Sequence, residues 1–196
     1  WLWLTGLSVM VLVSVVNYLQ LHRRLQTALP WRGEIYLADG IEMPFVLGIV
    51  SPRIYLPSGM PKEERRYIVA HERHHIRRLD PLWKLLGYVS LCIHWFNPLV
   101  WLAFSLAGKD MEMSCDEAVI RHLGPEIRAD YAQSLLRLST GRSTLHGMPL
   151  AFGEGDTKGR VKNMAKWQRP KLWVSIACIA LCVIIGLVCA LNPEEE

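Results

Sequence analysis

The residues with the clearest chemical potential lie in the run His71-Glu72-Arg73-His74-His75. Side chains four residues apart share one face of a helix, so His71 and His75 would present two imidazoles to a single ion. Zinc binds imidazole nitrogens at about 2.0–2.1 Å, and a catalytic zinc site adds a third protein ligand and an open water position. Glu72 stands next to His71, where its carboxylate can take a proton from that water. The spacing therefore predicts zinc-dependent hydrolysis with Glu72 as the general base.

A solvated basic helix with surface histidines is the alternative interpretation of this run, because the segment is highly charged and His74 adds a further histidine. Against it, the apolar residues at 67–70 directly before the motif give the helix a surface to bury. The composition also makes a chance match rare, on the order of 0.015 per chain for this motif class. The sequence therefore favours the metal site.

A third ligand is expected from an acidic run in which Glu112 and Asp116 are spaced by one helical turn. Glu112 would complete the ligand set as a carboxylate donor. Asp116 would accept the second ring N–H of a liganding histidine and fix its tautomer. Asp110 and Glu117 belong to the same acidic cluster, so the assignment within it stays open, as does an acidic pair on a solvent face.

The elements that must position these residues are helices preceded by short strands. The motif helix is predicted to begin near Pro61 and to run to Asp80, where Pro81 marks a break. The acidic helix is expected over 111–122. The remaining expected elements are strands at 34–37, 45–50 and 53–56, a helix at 127–138 and a loop at 139–147.

Two uncharged apolar runs, 1–21 and 172–191, each hold about 20 residues and suffice to cross a membrane as helices. A cleaved signal peptide is the alternative for the first run, but its flank His22-Arg23-Arg24 fits a true span better. Basic residues follow the first run and precede the second. The positive-inside rule therefore predicts a multi-pass protein of the cell membrane, with residues 22–171 and the active site in the cytoplasm and 192–196 as an extracellular stub. Because the chain begins Trp-Leu-Trp, we expect a fragment.

The apolar stretch 82–107 separates the two halves of the predicted metal site. A single crossing there would place His75 and Glu112 on opposite sides of the membrane, where they could not share an ion. Asn97-Pro98 near the middle of the stretch favours two half-length helices, 82–96 and 99–107, in a hairpin. That hairpin is expected to dip into the inner leaflet or to pack as domain core.

Several segments together resemble the antirepressor-type, BlaR/MecR-like membrane metallopeptidases. They are the run from Ser51 to Pro57, the histidine motif, His94-Trp-Phe-Asn-Pro98, the run from Glu112 to Val119, and Lys158-Gly-Arg-Val-Lys162. The resemblance implies a gluzincin-like zincin domain in a mainly α (α+β) integral membrane protein. It also implies zinc on His71, His75 and Glu112, with Glu72 as general base.

The same resemblance implies cleavage of a cytoplasmic protein, often a transcriptional repressor and sometimes the enzyme itself. No S-x-x-K acylation motif is present in the sequence, so it gives no support for beta-lactam sensing. A non-catalytic membrane transducer or scaffold with a structural metal remains the alternative. The modest net charge of +4 makes direct nucleic-acid binding a weak expectation. The lipid bilayer is an expected partner, and a homo-oligomer remains open.

Overall fold

The computed structural model of the chain describes residues 1–140, 156–166 and 172–191. The described residues are mostly helical, with one small mixed sheet. The helices are α1 (Leu2–Arg24), α2 (Lys62–Arg77), α3 (Asp80–Ile93), α4 (Pro98–Leu123), α5 (Arg128–Thr140), α6 (Thr157–Lys166) and α7 (Leu172–Leu191). The strands are β1 (Leu29–Arg32), β2 (Ile35–Ala38), β3 (Phe45–Leu47) and β4 (Arg53–Pro57).

Helix α1 belongs to the segment Leu2–Thr27, which is long and apolar enough to cross a membrane. Its side chains are largely exposed and apolar, and its last turn carries His22, Arg23 and Arg24. Helix α7 is a 20-residue apolar helix and lies in a separate unit that begins at Lys166. Residues 192–196, the predicted stub, lie outside the described residues.

The sheet has the strand order β1-β2-β4-β3, so β3 is an edge strand. Strands β2 and β4 pair in parallel, while β1 and β3 pair antiparallel with their neighbours. Leu21 and Leu25 from the end of α1 pack with Tyr55 of β4 in a buried cluster. This contact fixes the sheet beside the basic end of α1. The sequence did not predict β1, because Pro30 interrupts it and its four residues are exposed.

Helix α2 ends at Arg77, earlier than the predicted Asp80. Leu79 has a φ of 58°, which a helix interior does not tolerate, so the chain turns there and starts α3 at Asp80. Pro81 was expected to mark a helix break, and the chain does break just before it, so that Pro81 occupies the first turn of α3. Its missing N–H is harmless at that position, because the first-turn donors have no partner inside the helix.

Helices α3 and α4 form the expected hairpin, but they differ from the two predicted half-length helices. Helix α4 continues for 26 residues from Pro98 to Leu123 and includes the acidic pair, which was expected on a separate helix over 111–122. The Asn97 side chain accepts a hydrogen bond from the Leu99 N–H at 2.9 Å and starts this helix. One rigid element therefore joins the hairpin to the predicted metal site.

The hairpin packs along α1 and extends to its N-terminal end. Tyr88 of α3 bonds Ser14 in the middle of α1, while Trp3 donates a hydrogen bond to the Ile93 carbonyl at 2.8 Å near the hairpin tip. From Leu21, which touches the sheet, to Trp3 the axis of α1 rises by about 27 Å. The hairpin therefore lies beside most of the length of α1.

The segments after α4 complete the described part of the fold. Helix α5 agrees with the expected helix at 127–138 and follows a short 3-10 turn, Pro125–Ile127. The loop expected at 139–147 lies almost entirely outside the described residues. Helix α6 was not predicted, because its ten residues are largely polar and show no clear apolar period.

Candidate metal centre

The side chains of His71, His75 and Glu112 converge at one point between α2 and α4. The Nε2 atoms of His71 and His75 are 3.0 Å apart. The Glu112 carboxylate places Oε2 3.2 Å from Nε2 of His71 and Oε1 3.5 Å from Nε2 of His75. All three residues are buried, with exposures between 3% and 6%. The three ligand candidates named from the sequence are thus brought together.

The Nδ1 atom of each imidazole lies beside a hydrogen-bond acceptor, and this contact determines where Nε2 of the same ring points. Nδ1 of His75 donates to Oδ2 of Asp80 at 2.8 Å. Nδ1 of His71 lies 2.9 Å from the Tyr131 hydroxyl oxygen and 3.2 Å from Oδ1 of Asp116. With both Nδ1 atoms acting as donors, the neutral rings direct the lone pairs of Nε2 at each other and at Glu112.

This donor set fits a divalent metal ion. Zinc–ligand bonds of 2.0–2.1 Å in a tetrahedron set neighbouring ligand atoms about 3.3 Å apart, close to the three separations found here. Two neutral imidazoles and one carboxylate also match the ligand types of catalytic zinc sites. Converging lone pairs repel one another unless a proton or a cation lies between them. The three side chains therefore suit zinc.

The carboxylates around the imidazoles outnumber the cations. The four carboxylates belong to Glu72, Asp80, Glu112 and Asp116, and the three cations are Arg78, Lys84 and Arg160. The Arg78 guanidinium is partly exposed. With neutral imidazoles the group is net negative. A cation at the meeting point of the lone pairs offsets that charge.

The same carboxylates shift the pKa values of both histidines upward. Burial alone would lower the pKa of His71, but hydrogen bonds to Asp116 and Glu112 outweigh it and the pKa lies above its ordinary value. Burial also opposes charge on His75, yet the Asp80 carboxylate, followed by Cys115 and Glu112, holds its pKa well above the usual range. The surroundings therefore favour positive charge at this point.

Glu72, the predicted general base, lines a cavity of about 630 Å³ that reaches the three candidate ligands. Its side chain is buried, and among the described residues no hydrogen bond or ion pair engages its carboxylate. Tyr18 and Leu21 of α1, Phe45 of the edge strand β3 and Leu85 of α3 form part of the wall. The carboxylate is therefore available to a water molecule in a largely apolar chamber.

Asp116 contacts His71 as its one-turn spacing from Glu112 predicted. Its carboxylate is fully buried and accepts a 2.6 Å hydrogen bond from the Tyr131 hydroxyl. Burial would raise the pKa of Asp116, but the Arg160 guanidinium and His71 lower it to about 2. The carboxylate is thus ionised and orients the His71 ring through both direct and Tyr131-mediated contact.

Four residues at this centre were not identified from the sequence: Asp80, Lys84, Tyr131 and Arg160. Asp80 had a usable signal, since it follows His75 by five residues and opens a helix beside it. Lys84 Nζ donates to Oε1 of Glu112 at 3.4 Å from α3. Tyr131 and Arg160 come from α5 and α6, and no local spacing links them to the motif.

A second buried cluster lies behind His75, where Cys115 Sγ is 3.3 Å from Nδ1 of His75 and 3.7 Å from Oδ2 of Asp80. The short His75–Asp80 hydrogen bond already uses the atoms that would bind an ion there. Burial raises the pKa of the Cys115 thiol, which keeps it protonated. This cluster therefore supports the metal centre and does not form a second one.

Several known proteins are similar to this chain in sequence. A family model described as BlaR1 peptidase M56 matches residues 1–164. The Regulatory protein BlaR1 of Bacillus licheniformis is 26% identical over 162 residues, which are 79% of this chain and 27% of that protein. The Methicillin resistance mecR1 proteins of Staphylococcus aureus and Staphylococcus epidermidis are 31% identical over 113 residues, 56% of this chain and 19% of theirs.

The chain spans about a quarter, or less, of the length of these relatives. The family match, however, covers α1, the sheet, the hairpin and nearly all of α6, and with them every residue of the candidate centre. On that match, the chain belongs to the BlaR1 peptidase M56 family.

Proposed function

We propose that the chain is a membrane-embedded zinc endopeptidase that cleaves a cytoplasmic protein in signal transduction. The observation that carries the proposal is the convergence of Nε2 of His71, Nε2 of His75 and the Glu112 carboxylate within 3.5 Å of one another. Membership of a peptidase family supports hydrolysis, and the regulatory and resistance names of the relatives support a role in signalling.

In this proposal His71, His75 and Glu112 hold the zinc ion. Bound zinc supplies Lewis acidity toward a water molecule and a peptide carbonyl. Glu72 accepts a proton from the attacking water and donates it to the leaving amine. Asp80 and Asp116 keep the two imidazoles in the tautomer that points Nε2 inward, so the ligand set does not need to reorganise.

The edge strand β3 is proposed to bind the substrate. Phe45, Val46 and Leu47 line the cavity, and β3 pairs with β4 along one side only. An extended peptide can add to such an edge through main-chain hydrogen bonds, with its alternate side chains entering the apolar chamber. A transcriptional repressor and the chain itself are the protein substrates that the family resemblance suggests.

The membrane arrangement belongs to the same proposal. Helices α1 and α7 each cross the bilayer, and the hairpin of α3 and α4 crosses it and returns, so that His75 and Glu112 lie on one side. Arg23 and Arg24 at the end of α1, next to the sheet, favour the cytoplasm for that side. The zincin domain, which lies between α1 and α7 in the sequence, is then placed against the inner leaflet.

A non-catalytic transducer with a structural metal is the second candidate. Structural zinc sites are closed by four protein ligands. The cavity beside the three candidate ligands, with Glu72 in its wall, favours the open site of an enzyme.

The proposal is tested by metal analysis of the full chain purified in lipid nanodiscs. We expect one zinc per chain in the wild type and in Glu72→Gln, and strong loss of zinc in His75→Ala and Glu112→Ala. His94→Ala is the matched control, because His94 is an exposed histidine at the hairpin tip. A wild-type protein that takes up no zinc, or a His75→Ala variant that binds it as tightly, would refute the metal centre.

A further inference from the structure

Helix α6 places one side chain, Arg160, at the candidate metal centre. Arg160 is 7% exposed, although α6 is otherwise largely polar. Its guanidinium donates from Nε to Oδ2 of Asp116 at 2.8 Å and from Nη2 to Oδ1 at 2.7 Å. The third nitrogen, Nη1, lies 3.2 Å from Oε2 of Glu112. One arginine therefore contacts both acidic residues of α4 that face the imidazoles.

The two contacts act on different parts of the centre. Asp116 is fully buried, and a buried carboxylate stays ionised at that position only when a cation or several donors satisfy it. Asp116 in turn accepts from Tyr131 and lies against Nδ1 of His71, so the arginine stabilises the acceptor that orients this ring. The contact with Glu112 restrains the rotation of the carboxylate that faces both histidines.

Side-chain contacts join α6 and the residue before it to α4 on either side of Arg160. The Asn163 side chain donates to Oε1 of Glu117 at 3.2 Å, and Lys109 of α4 pairs with Asp156 just before α6 at 3.5 Å. These contacts lie on either side of Arg160 in the sequence. The guanidinium is therefore held from α6, whereas the residues that it contacts belong to α4.

We propose that Arg160 is a positioning residue of the metal centre, through which α6 sets the affinity for zinc. The inference rests on the proposed zinc site. A bidentate guanidinium fixes the plane of the Asp116 carboxylate as well as its charge, which an ammonium group does not. Withdrawal of α6 from α4 would remove the guanidinium that pairs with Asp116 and one restraint on Glu112, so zinc would be held less tightly.

The test uses the full chain in lipid nanodiscs with the variants Arg160→Met and Arg160→Lys. Zinc affinity is measured by competition with a chromophoric chelator, and ligand geometry by the visible absorption of the cobalt(II)-substituted protein. We expect Arg160→Met to lose about 10- to 100-fold in zinc affinity, with altered cobalt bands. Arg160→Lys should fall between Arg160→Met and wild type, because it keeps the charge and loses the bidentate geometry.

Lys162→Met is the matched control, since Lys162 is an exposed cation on the same helix. It should keep wild-type affinity and spectrum. Thermal unfolding of the metal-free proteins separates a general loss of stability from an effect on the metal. If Arg160→Met does not fold, Arg160→Lys alone decides the question.

Wild-type zinc affinity and cobalt bands in a folded Arg160 variant would overturn the inference, as would an equal loss in Lys162→Met. These outcomes differ from failure of the proposed function itself. If the wild type binds no zinc, the metal centre is refuted. If the wild type and the Arg160 variants bind zinc equally well, only the positioning role of Arg160 is refuted.

Discussion

Oδ2 of Asp80 accepts a 2.8 Å hydrogen bond from Nδ1 of His75 across the break between α2 and α3. The break makes this contact possible. The left-handed conformation of Leu79 turns the chain so that the first residue of α3 faces back toward the last turns of α2. The same turn therefore ends the motif helix and supplies the acceptor that fixes one of its imidazoles.

Replacing Asp80 should weaken metal binding without removing a ligand. We expect Asp80→Ala to lower zinc affinity about 10- to 100-fold, because His75 would lose the acceptor that fixes its tautomer. Chelator competition on purified protein measures this change. Glu63→Ala, an exposed acidic residue at the start of α2, is the control. Unchanged affinity in Asp80→Ala would show that the hydrogen bond does not orient the ring for a metal.

Glu72→Gln separates the proposed base from the proposed ligands. The variant keeps the shape of the side chain but cannot take a proton, so we expect full zinc content and a loss of cleavage of about 10²- to 10⁴-fold. Cleavage can be followed without a known substrate, by mass spectrometry of new protein N-termini in cells that express either form. Cleavage products that persist unchanged with Glu72→Gln would contradict the role of this carboxylate.

The Tyr131 hydroxyl should contribute to stability through the charge on Asp116. Tyr131→Phe keeps the buried ring and deletes a hydrogen bond to an ionised group, so we expect the free energy of unfolding of the metal-free protein to fall by about 1.5–3 kcal/mol. Denaturant titration in detergent micelles measures the difference. Tyr18→Phe, at an exposed tyrosine of α1, should be close to neutral. A neutral Tyr131→Phe would mean that Arg160 alone satisfies Asp116.

The proposed membrane arrangement predicts that the hairpin tip is accessible on the outer face of the membrane. Phe96 is 60% exposed and lies near the end of α1 that carries Trp3. In a background with the other exposed cysteines replaced, Phe96→Cys should react with an impermeant thiol reagent added outside intact cells. Arg73→Cys, half exposed on the motif helix, should react only after permeabilisation. The reverse pattern, or protection of both, would exclude a hairpin that crosses and returns.

The residues of the centre that could be predicted from the sequence are those that lie close to one another along the chain. His71 and His75 are four residues apart on one helix, and Glu112 and Asp116 are four apart on another, so helical geometry alone places each pair on one face. The need for both pairs to bind one ion also led to the prediction of a hairpin between them, which α3 and α4 form. These inferences used no knowledge of how distant segments pack.

What could not be predicted depends on packing between elements. Tyr131 and Arg160 enter the centre from α5 and α6. Arg160 lies in a segment that carries the family resemblance, but nothing in the spacing of either residue links it to the histidine motif. The continuity of α4 was not predicted, because the sequence changes after Ala107 from an apolar to an acidic segment. The structure carries one helix through this change, with Gly108 buried inside it.

Because α4 is one continuous helix, it connects the hairpin rigidly to the candidate metal centre. Phe104 packs against Tyr88 in the hairpin, and Glu112 follows it by eight residues, about 12 Å along the same axis. If α4 moved by one residue along its contact with α3 at Phe104, Glu112 would rotate by about 100° and shift by about 1.5 Å. In the proposed membrane arrangement, the thickness and lateral pressure of the surrounding lipid would therefore influence how tightly the centre binds zinc.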